Sequence, residues 1–280
     1  CNAAGTGFTF VESCQGQSTG RQCDQGECIP LCILNEKTRT NIGCDYWSAD
    51  LDNAFVPGGD GFINAARAPF AVVVSNPNQT LTAEVTVSNN EGVSNDADGI
   101  PAIRVVPPLG LEVFYLPHRD IESTSITPKA YRIRSSIPIV AYQFNPLDND
   151  NVFSNDASLL LPSHVLGKDY LVMTREQSFD RLRGFLTVIA VSEDPTQVTV
   201  TVTAQTQQLT GSIPPLQPGE SFTTVLNKFD VLNIETGAPG ADLTGSRVVA
   251  SENVVVFGGS EAANVPNTNH CIFPRDDLES

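Results

Sequence analysis

An internal repeat of about 115 residues constrains this 280-residue chain more than any other feature. The segment RVVASENVVVFGGSEAANVP, at 247–266, follows the same pattern as the segment that begins YRIRSSIPIVAYQF at Tyr131. A pair of apolar segments in each half also aligns at this offset. Each copy of a repeat must bury its own apolar face or share it with a neighbour, so the repeat sets the architecture. The sequence predicts two copies of one fold.

Short apolar segments separated by turn residues fill both copies. FAVVVSN and LTAEVTVSN flank NPNQ in the first copy, and FLTVIAVSE and QVTVTVTA flank DPT in the second. Alternating β-branched residues around a turn predict a β-hairpin in each copy. No stretch of ten or more residues has a helical period. The chain is therefore predicted to be all-β, with about six or seven strands in each copy, the size of one β-sandwich. A propeller-like arrangement is the alternative, although blades of about 45 residues fit this repeat poorly.

The predicted repeat, together with the distribution of cysteines, divides the chain into four parts. They are a cysteine-rich segment at 1–46, a first β unit at 47–152, a second β unit at 153–266, and a tail or incomplete third unit at 267–280. The Asp- and Asn-rich loop at 145–157 is predicted to be a surface turn between the two β units, because Asp and Asn favour turns.

Disulfide bonds are predicted for the cysteine-rich segment, because so short a segment cannot bury a core of its own. The cysteines concerned are Cys14, Cys23, Cys28, Cys32, Cys44 and, from the tail, Cys271. A zinc site is the alternative, but the segment has no CxxC pair and no histidine. The connectivity is open, and Cys271 pairs either with the N-terminal segment or with a cysteine beyond Ser280.

Cys1 carries a hypothesis of its own. An N-terminal cysteine followed by small residues is typical of a bacterial lipoprotein after removal of its signal peptide, and acylation there would anchor the protein to a membrane. The alternative is that the sequence begins at an arbitrary cut. The mass of the N-terminal peptide distinguishes the two.

The charge of the chain excludes some partners. The formal net charge is −16 and the sequence pI is about 4.4. Such a surface repels nucleic-acid phosphates and anionic lipid headgroups. No apolar run reaches the roughly 18 residues that a membrane helix needs. The composition favours an extracellular protein, with membrane contact only through a lipid at Cys1.

Several phrases resemble one family. IPIVAYQFNPL, SNDASLLLPSHVLGKDYLV, FLTVIAVSEDPTQVTVT, LQPGESF and DLTGSRVVASENVVVFGG follow one another as they do in the IgGFc-binding protein N-terminal domain family. The resemblance spans Trp47 to Pro266, and GCDYWSADLDNA resembles the start of this module in bacterial secreted or surface proteins. It implies extracellular binding or adhesion without catalytic residues. It supplies no motif for antibody Fc binding.

Acidic loops are the candidate metal sites, because calcium takes six to eight oxygen ligands and alternating carboxylates supply them. The first candidate is the loop that contains Asp148, Asp150 and Asp156. Weaker candidates are the pair Asp50 and Asp52 and the pair in NDADG at 95–99, which does not fit the EF-hand pattern. Asp and Asn are also ordinary turn formers, so these loops need not bind an ion.

No catalytic residues are predicted. The histidines are scattered, and GGSEA at 258–262 has Ala262 where a nucleophile elbow needs glycine. Asn78, in NQT, is an acceptor for N-glycosylation in a host that uses that route, and its turn should be exposed. Arg132 is expected to pair with an acid across strands, and Trp47 to lie in the core.

Three functions follow from these observations. The first is a non-enzymatic binding or adhesion module, secreted or attached to the bacterial surface, whose partner is an extracellular protein or glycan. The second is a structural subunit that assembles with copies of itself into a filament or coat through exposed edge strands. The third, a carbohydrate-active enzyme, has no supporting motif.

Overall fold

Alternating apolar residues build a fold whose regular secondary structure is nearly all antiparallel strand, so the predicted all-β class is confirmed. The computed structural model describes residues 20–25, 27–55, 64–148, 152, 155–207, 212–263 and, through the backbone alone, 275–279. In the cysteine-rich segment, β1 (Arg21–Asp24) and β2 (Glu27–Pro30) form a hairpin that is followed by a short helix, α1 (Leu31–Asn35).

Two large sheets contain the remaining described strands. The first half of the chain supplies β3 (Gly43–Ser48), β4 (Ala71–Ser75), β5 (Ala83–Asn89), β6 (Gly92–Val93), β7 (Ile103–Val106), β8 (Leu111–Tyr115), β9 (Ser125–Thr127), β10 (Tyr131–Phe144) and β11 (Ala157–Leu159). The second half supplies β12 (Gly167–Leu171), β13 (Gly184–Ala190), β14 (Thr196–Thr201), β15 (Ser221–Leu226), β16 (Val231–Glu235), β17 (Arg247–Ala263) and β18 (Arg275–Glu279). Short 3-10 turns lie at Ala65–Arg67 and Ser163–Val165.

The long strand β10 organises the first sheet. Its first half pairs with β3 and β5, and its second half pairs with β4 and β11. Ile133 lies opposite Val87 of β5, whereas Tyr142 lies opposite Val73 of β4. β7 continues the sheet beyond β5, and β8 continues it beyond β4. One strand thus supports two groups of neighbours, which close around a common apolar core.

The long strand β17 has the same role in the second sheet. Its first half pairs with β12 and β14, and its second half pairs with β13 and β18. β15 extends the sheet beyond β14, and β16 extends it beyond β13. The pairing pattern matches that of the first sheet, except that β6, beside β5, and β9, beside β16, have no counterparts. The sequence repeat itself stays a prediction, which this shared pattern supports.

The two predicted hairpins are wrong. β4 and β5 do not pair with each other, because each pairs with a different half of β10. β13 and β14 likewise pair with different halves of β17. The turns at NPNQ and DPT are real, but they lead the chain to a different part of the sheet. A turn signal reports a change of direction and not the partner of the next strand.

The two sheets share part of their apolar core, and the second sheet also buries a separate cluster of its own. Trp47 and Ile133 of the first sheet belong to the same buried cluster as Phe185 and Phe257 of the second. Trp47, which is 1% exposed, packs on Phe229 with the ring centroids 5.0 Å apart. In addition, β9 pairs with β16 of the second sheet, and β11 pairs with β10 of the first. The division into units at 152/153 therefore stays a prediction.

Within the described residues, no helix is long and apolar enough to cross a membrane.

Candidate functional site: a buried carboxylate cluster

The chain that leaves β3 carries two buried aspartates towards the junction of the sheets. Asp50 is 2% exposed and Asp52 is 7% exposed. The backbone N–H of Arg119 donates to Oδ2 of Asp50, and the backbone N–H of Ser123 donates to Oδ2 of Asp52, each at 3.0 Å. Ile121 N–H also donates to the backbone carbonyl of Asp50, at 2.9 Å. These bonds hold the acidic loop against the segment at 119–123.

Two glutamates from the second sheet meet Asp52. Glu235 ends β16, and Glu261 lies near the end of β17, while β13 runs between these strands and pairs with both. Carboxylate oxygens of Asp52, Glu235 and Glu261 lie within 4.8 Å of one another, and all three residues are buried. The cluster therefore joins the first sheet to the second, which no local sequence pattern could show.

A cavity of about 280 Å³ opens onto this cluster. Arg183 and Gln207 are among the residues that line it. The Nε atom of Arg183 is 3.7 Å from Oε2 of Glu235, and its backbone N–H donates to Oε1 of Glu261 at 2.9 Å. The Gln207 amide, with its NH2 group turned towards Glu235, donates to Oε2 at 3.1 Å and accepts from Arg183 Nε at 3.1 Å. Arg183 thus contacts two of the three carboxyl groups, Glu235 through its guanidinium and Glu261 through its backbone N–H.

Burial changes the acidity of the cluster. It raises the pKa of Glu235 to about 7 and that of Glu261 to about 8, where the nearby charge of Asp52 adds to the effect. Burial also raises the pKa of Asp52 well above its usual value, and the adjacent Glu235 carboxyl raises it further. Carboxyl groups in such a position either share protons or hold a cation between them.

A second group of titratable side chains lies beside the first. Nδ1 of His118 is 3.7 Å from Oδ2 of Asp50 and 3.5 Å from Oδ1 of Asp120. Burial raises the pKa of Asp50 to about 7, and the hydrogen bond to Asp50 raises the pKa of His118. His118 and Asp120 are both partly exposed, so this group reaches the surface.

The predicted calcium loop is only partly described. Asp148 is exposed and Asp156 is half-buried, and the backbone carbonyl of Asp156 accepts from Asn145 N–H at 3.0 Å. Asp150 lies outside the described residues. Calcium binding at these three residues stays a prediction, and the clusters with ligand spacing among the described residues lie elsewhere.

The cysteines follow the prediction in part. Cys32 and Cys44 form a disulfide, and Cys28 is also disulfide-bonded. Cys23 is not paired as predicted: it lies opposite Cys28 across the β1–β2 hairpin, but Cys28 is engaged in another disulfide and the Cys23 thiol is free and exposed. Cys1, Cys14 and Cys271 lie outside the described residues.

The structure also describes three other residues that the sequence singled out, Asn78, Arg132 and Trp47. Asn78 lies in the turn between β4 and β5, where it is half-buried and its Oδ1 accepts from Thr80 and Leu81 N–H, and glycosylation there stays a prediction. The cross-strand pairing of Arg132 is confirmed, since its Nε donates to Asp45 at 2.6 Å. The core position of Trp47 is confirmed as well.

Sequence reasoning found one of the three members of the carboxylate cluster. Asp50 and Asp52 stood out as a pair, but Glu235 and Glu261 did not. One signal was available: Glu235 ends the apolar segment FDVLNIE, and a charged residue within an apolar strand points to a buried partner. Glu261 lies in GGSEA, which offers no comparable signal.

A comparison with protein families gave a match in the second half of the chain. Residues 156–279 match the family model described as IgGFc binding protein. The predicted resemblance is thereby confirmed for this region, which includes β11 to β18 and two members of the carboxylate cluster, Glu235 and Glu261. The match begins at β11, the last strand of the first sheet along the chain, so the resemblance of residues 47–155 stays a prediction. Comparisons with curated proteins and with solved structures gave no significant match.

Proposed function

We propose that this chain is a non-enzymatic extracellular binding module whose partner is another extracellular protein. The family match over residues 156–279 carries the proposal, because it is a match to a protein-binding family. The acidic surface and the disulfide between Cys32 and Cys44 support a location outside the cell. Adhesion to a host or to a neighbouring cell is the corresponding biological role, and a lipid at Cys1 would attach the module to a surface.

Exposed apolar side chains in the matched region indicate where a partner would bind. Leu171, at the end of β12, is 75% exposed, and Met173 is 62% exposed. Val249, on the paired strand β17, is 41% exposed. Exposure of apolar side chains of this size to water is unfavourable, so their burial against a protein partner would contribute favourably to binding.

Binding to the Fc fragment of immunoglobulin G is the first test, by biolayer interferometry with the Fc immobilised. We expect saturable binding that weakens at least tenfold in the variant Leu171→Lys/Met173→Lys, because charged side chains oppose burial. Val105→Lys, on β7, is the matched control: Val105 is 62% exposed but lies outside the matched region. If Fc and a panel of other extracellular proteins all fail to bind, the proposal is wrong.

Self-assembly is the second candidate, and strand β7 favours it. Among the described strands, β7 pairs only with β5, so its other edge is available. Ile103 and Val105 on this strand are 44% and 62% exposed. An apolar edge strand is a template for pairing with another chain. Sedimentation velocity and electron microscopy should show polymers that Val105→Lys abolishes, whereas a monomer at all concentrations contradicts assembly.

A further inference from the structure

We propose that Asp52, Glu235 and Glu261 form a divalent cation site, suited to calcium, that fastens the first sheet to the second. The site is separate from the predicted calcium loop at 145–157 and from the surface residues proposed to bind a protein. Three observations support a cation here: the spacing of the oxygens, a buried oxygen without a hydrogen-bond partner, and the balance of charge.

The spacing of the carboxylates fits an ion. Oxygens bound to one calcium lie about 2.3–2.6 Å from it, so ligands on the same ion are separated by about 3–5 Å. Carboxylate oxygens of the three residues lie within 4.8 Å of one another. They line one cavity of about 280 Å³, which leaves room for the waters that complete a coordination sphere of six to eight oxygens.

One oxygen in the cluster lacks a donor. Glu235 is 2% exposed, and its Oε1 is buried without a hydrogen-bond partner among the described residues. The Gln207 amide donates to Oε2 of Glu235. Asp52 and Glu261 each accept a hydrogen bond from a backbone N–H group. A buried, unpaired carboxylate oxygen costs several times the free energy of an ordinary hydrogen bond. A cation in the cavity would satisfy it.

The charges of the cluster point to a divalent ion. When the three carboxyl groups lose their protons to bind an ion, they carry three negative charges, and the guanidinium of Arg183, 3.7 Å from Glu235, offsets one of them, which leaves two. The other charged groups that line the cavity are Arg67, Arg181, Asp120 and Glu122, two of each sign, so they do not alter this balance. An ion of charge +2 neutralises the site, whereas a single proton shared between Asp52 and Glu235 does so only in part.

The ligands come from three distant places in the chain. Asp52 lies in the loop after β3, and Glu235 and Glu261 lie at the ends of β16 and β17. An ion that bridges them acts as a cross-link between the sheets and stabilises the folded state only when it is bound.

Calcium titration of the whole chain tests the site. The protein is stripped with EDTA and titrated with CaCl2 at neutral pH by calorimetry, and its melting temperature is measured with and without CaCl2. We expect one ion per chain and a rise in melting temperature of about 5 °C or more at saturation. Absence of both heat and thermal shift overturns the proposal.

Variants locate the ion. Glu235→Gln and Glu261→Gln preserve side-chain size and should abolish the calcium-dependent shift, as should Asp52→Asn if either glutamine variant fails to fold. Glu252→Gln is the matched control on β17, since Glu252 is partly exposed and pairs with Lys168 at the surface. Asp148→Asn/Asp156→Asn tests the predicted loop. If the calcium effect survives in the cluster variants and disappears in the loop variant, the proposed site is wrong.

Discussion

A single carboxylate holds together the loop between β6 and β7. Oδ1 of Asp96 accepts from the backbone N–H groups of Asp98 and Ile100, at 3.0 and 2.9 Å, and Oδ2 pairs with Arg104. These bonds favour the ionised form, so they lower the pKa of Asp96, with the Ile100 N–H as the largest cause. The sequence indicated a turn at NDADG, and the structure shows which of its two aspartates forms that turn.

The sign of this pKa shift determines a pH dependence. A carboxyl group whose pKa is lower in the folded state stabilises the protein above its ordinary pKa of about 4, and this contribution is lost as the pH falls through the folded-state value. Asp96→Asn should therefore lower the melting temperature by a few degrees at pH 7, and the difference from the parent should shrink towards pH 3.

Asp98→Asn is the control for this prediction, because Asp98 is exposed in the same turn. Melting curves recorded by circular dichroism across the pH range provide the measurement. A difference between parent and Asp96→Asn that stays constant from pH 7 to pH 3 would show that the charge of Asp96 does not contribute.

At the scale of the strand, sequence patterns located elements but not their partners. The apolar segments at 70–76, 81–89 and 229–235 correspond to β4, β5 and β16. Local alternation is enough to predict these strands, because it follows from the two faces of a strand. Pairing depends on which distant segment completes the sheet, and β10 and β17 each take neighbours from far along the chain. For the same reason the sequence could not show that Glu235 and Glu261 lie beside Asp52.

β17 contains a position where only glycine fits. A Cβ added to Gly258 would overlap the carbonyl oxygen of Met173, and would lie 3.0 Å from Cγ1 of Val172. The obstacle is backbone, which cannot move aside as a flexible side chain does. Gly258→Ala should therefore destabilise the protein by about 3 kcal/mol or more.

Gly167→Ala is the matched control for Gly258→Ala. The nearest atom to an added Cβ at Gly167 is the Tyr170 hydroxyl oxygen at 3.6 Å, an ordinary contact. Urea unfolding of the two variants measures the difference in the free energy of unfolding. Equal stabilities of the two variants would mean that the segment at 172–173 does not pass over β17 as closely as the structure shows.

At the scale of the whole molecule, the common core argues against independent folding of the two β units. Phe257, on β17, is 2% exposed and belongs to the same cluster as Trp47, on β3. β9 lies in the predicted first unit but pairs with β16 of the second sheet, and β11 lies in the predicted second unit but pairs with β10 of the first sheet, so backbone hydrogen bonds also join the two units. Units that bury apolar surface against each other lose that burial together when either unfolds, so they should unfold in one step.

Phe257→Ala tests this cooperativity. The substitution leaves a cavity in the common core and should cost about 3–5 kcal/mol. The melting temperature should fall equally in two measurements, the fluorescence of Trp47, which lies on β3 and packs on Phe229, and far-UV circular dichroism for the whole chain. Leu171→Ala, at a side chain that is 75% exposed, should change neither. Two separate transitions, or a fall confined to the circular dichroism signal, would show that the sheets are independent domains, because the Trp47 signal would then report a first sheet that does not depend on Phe257.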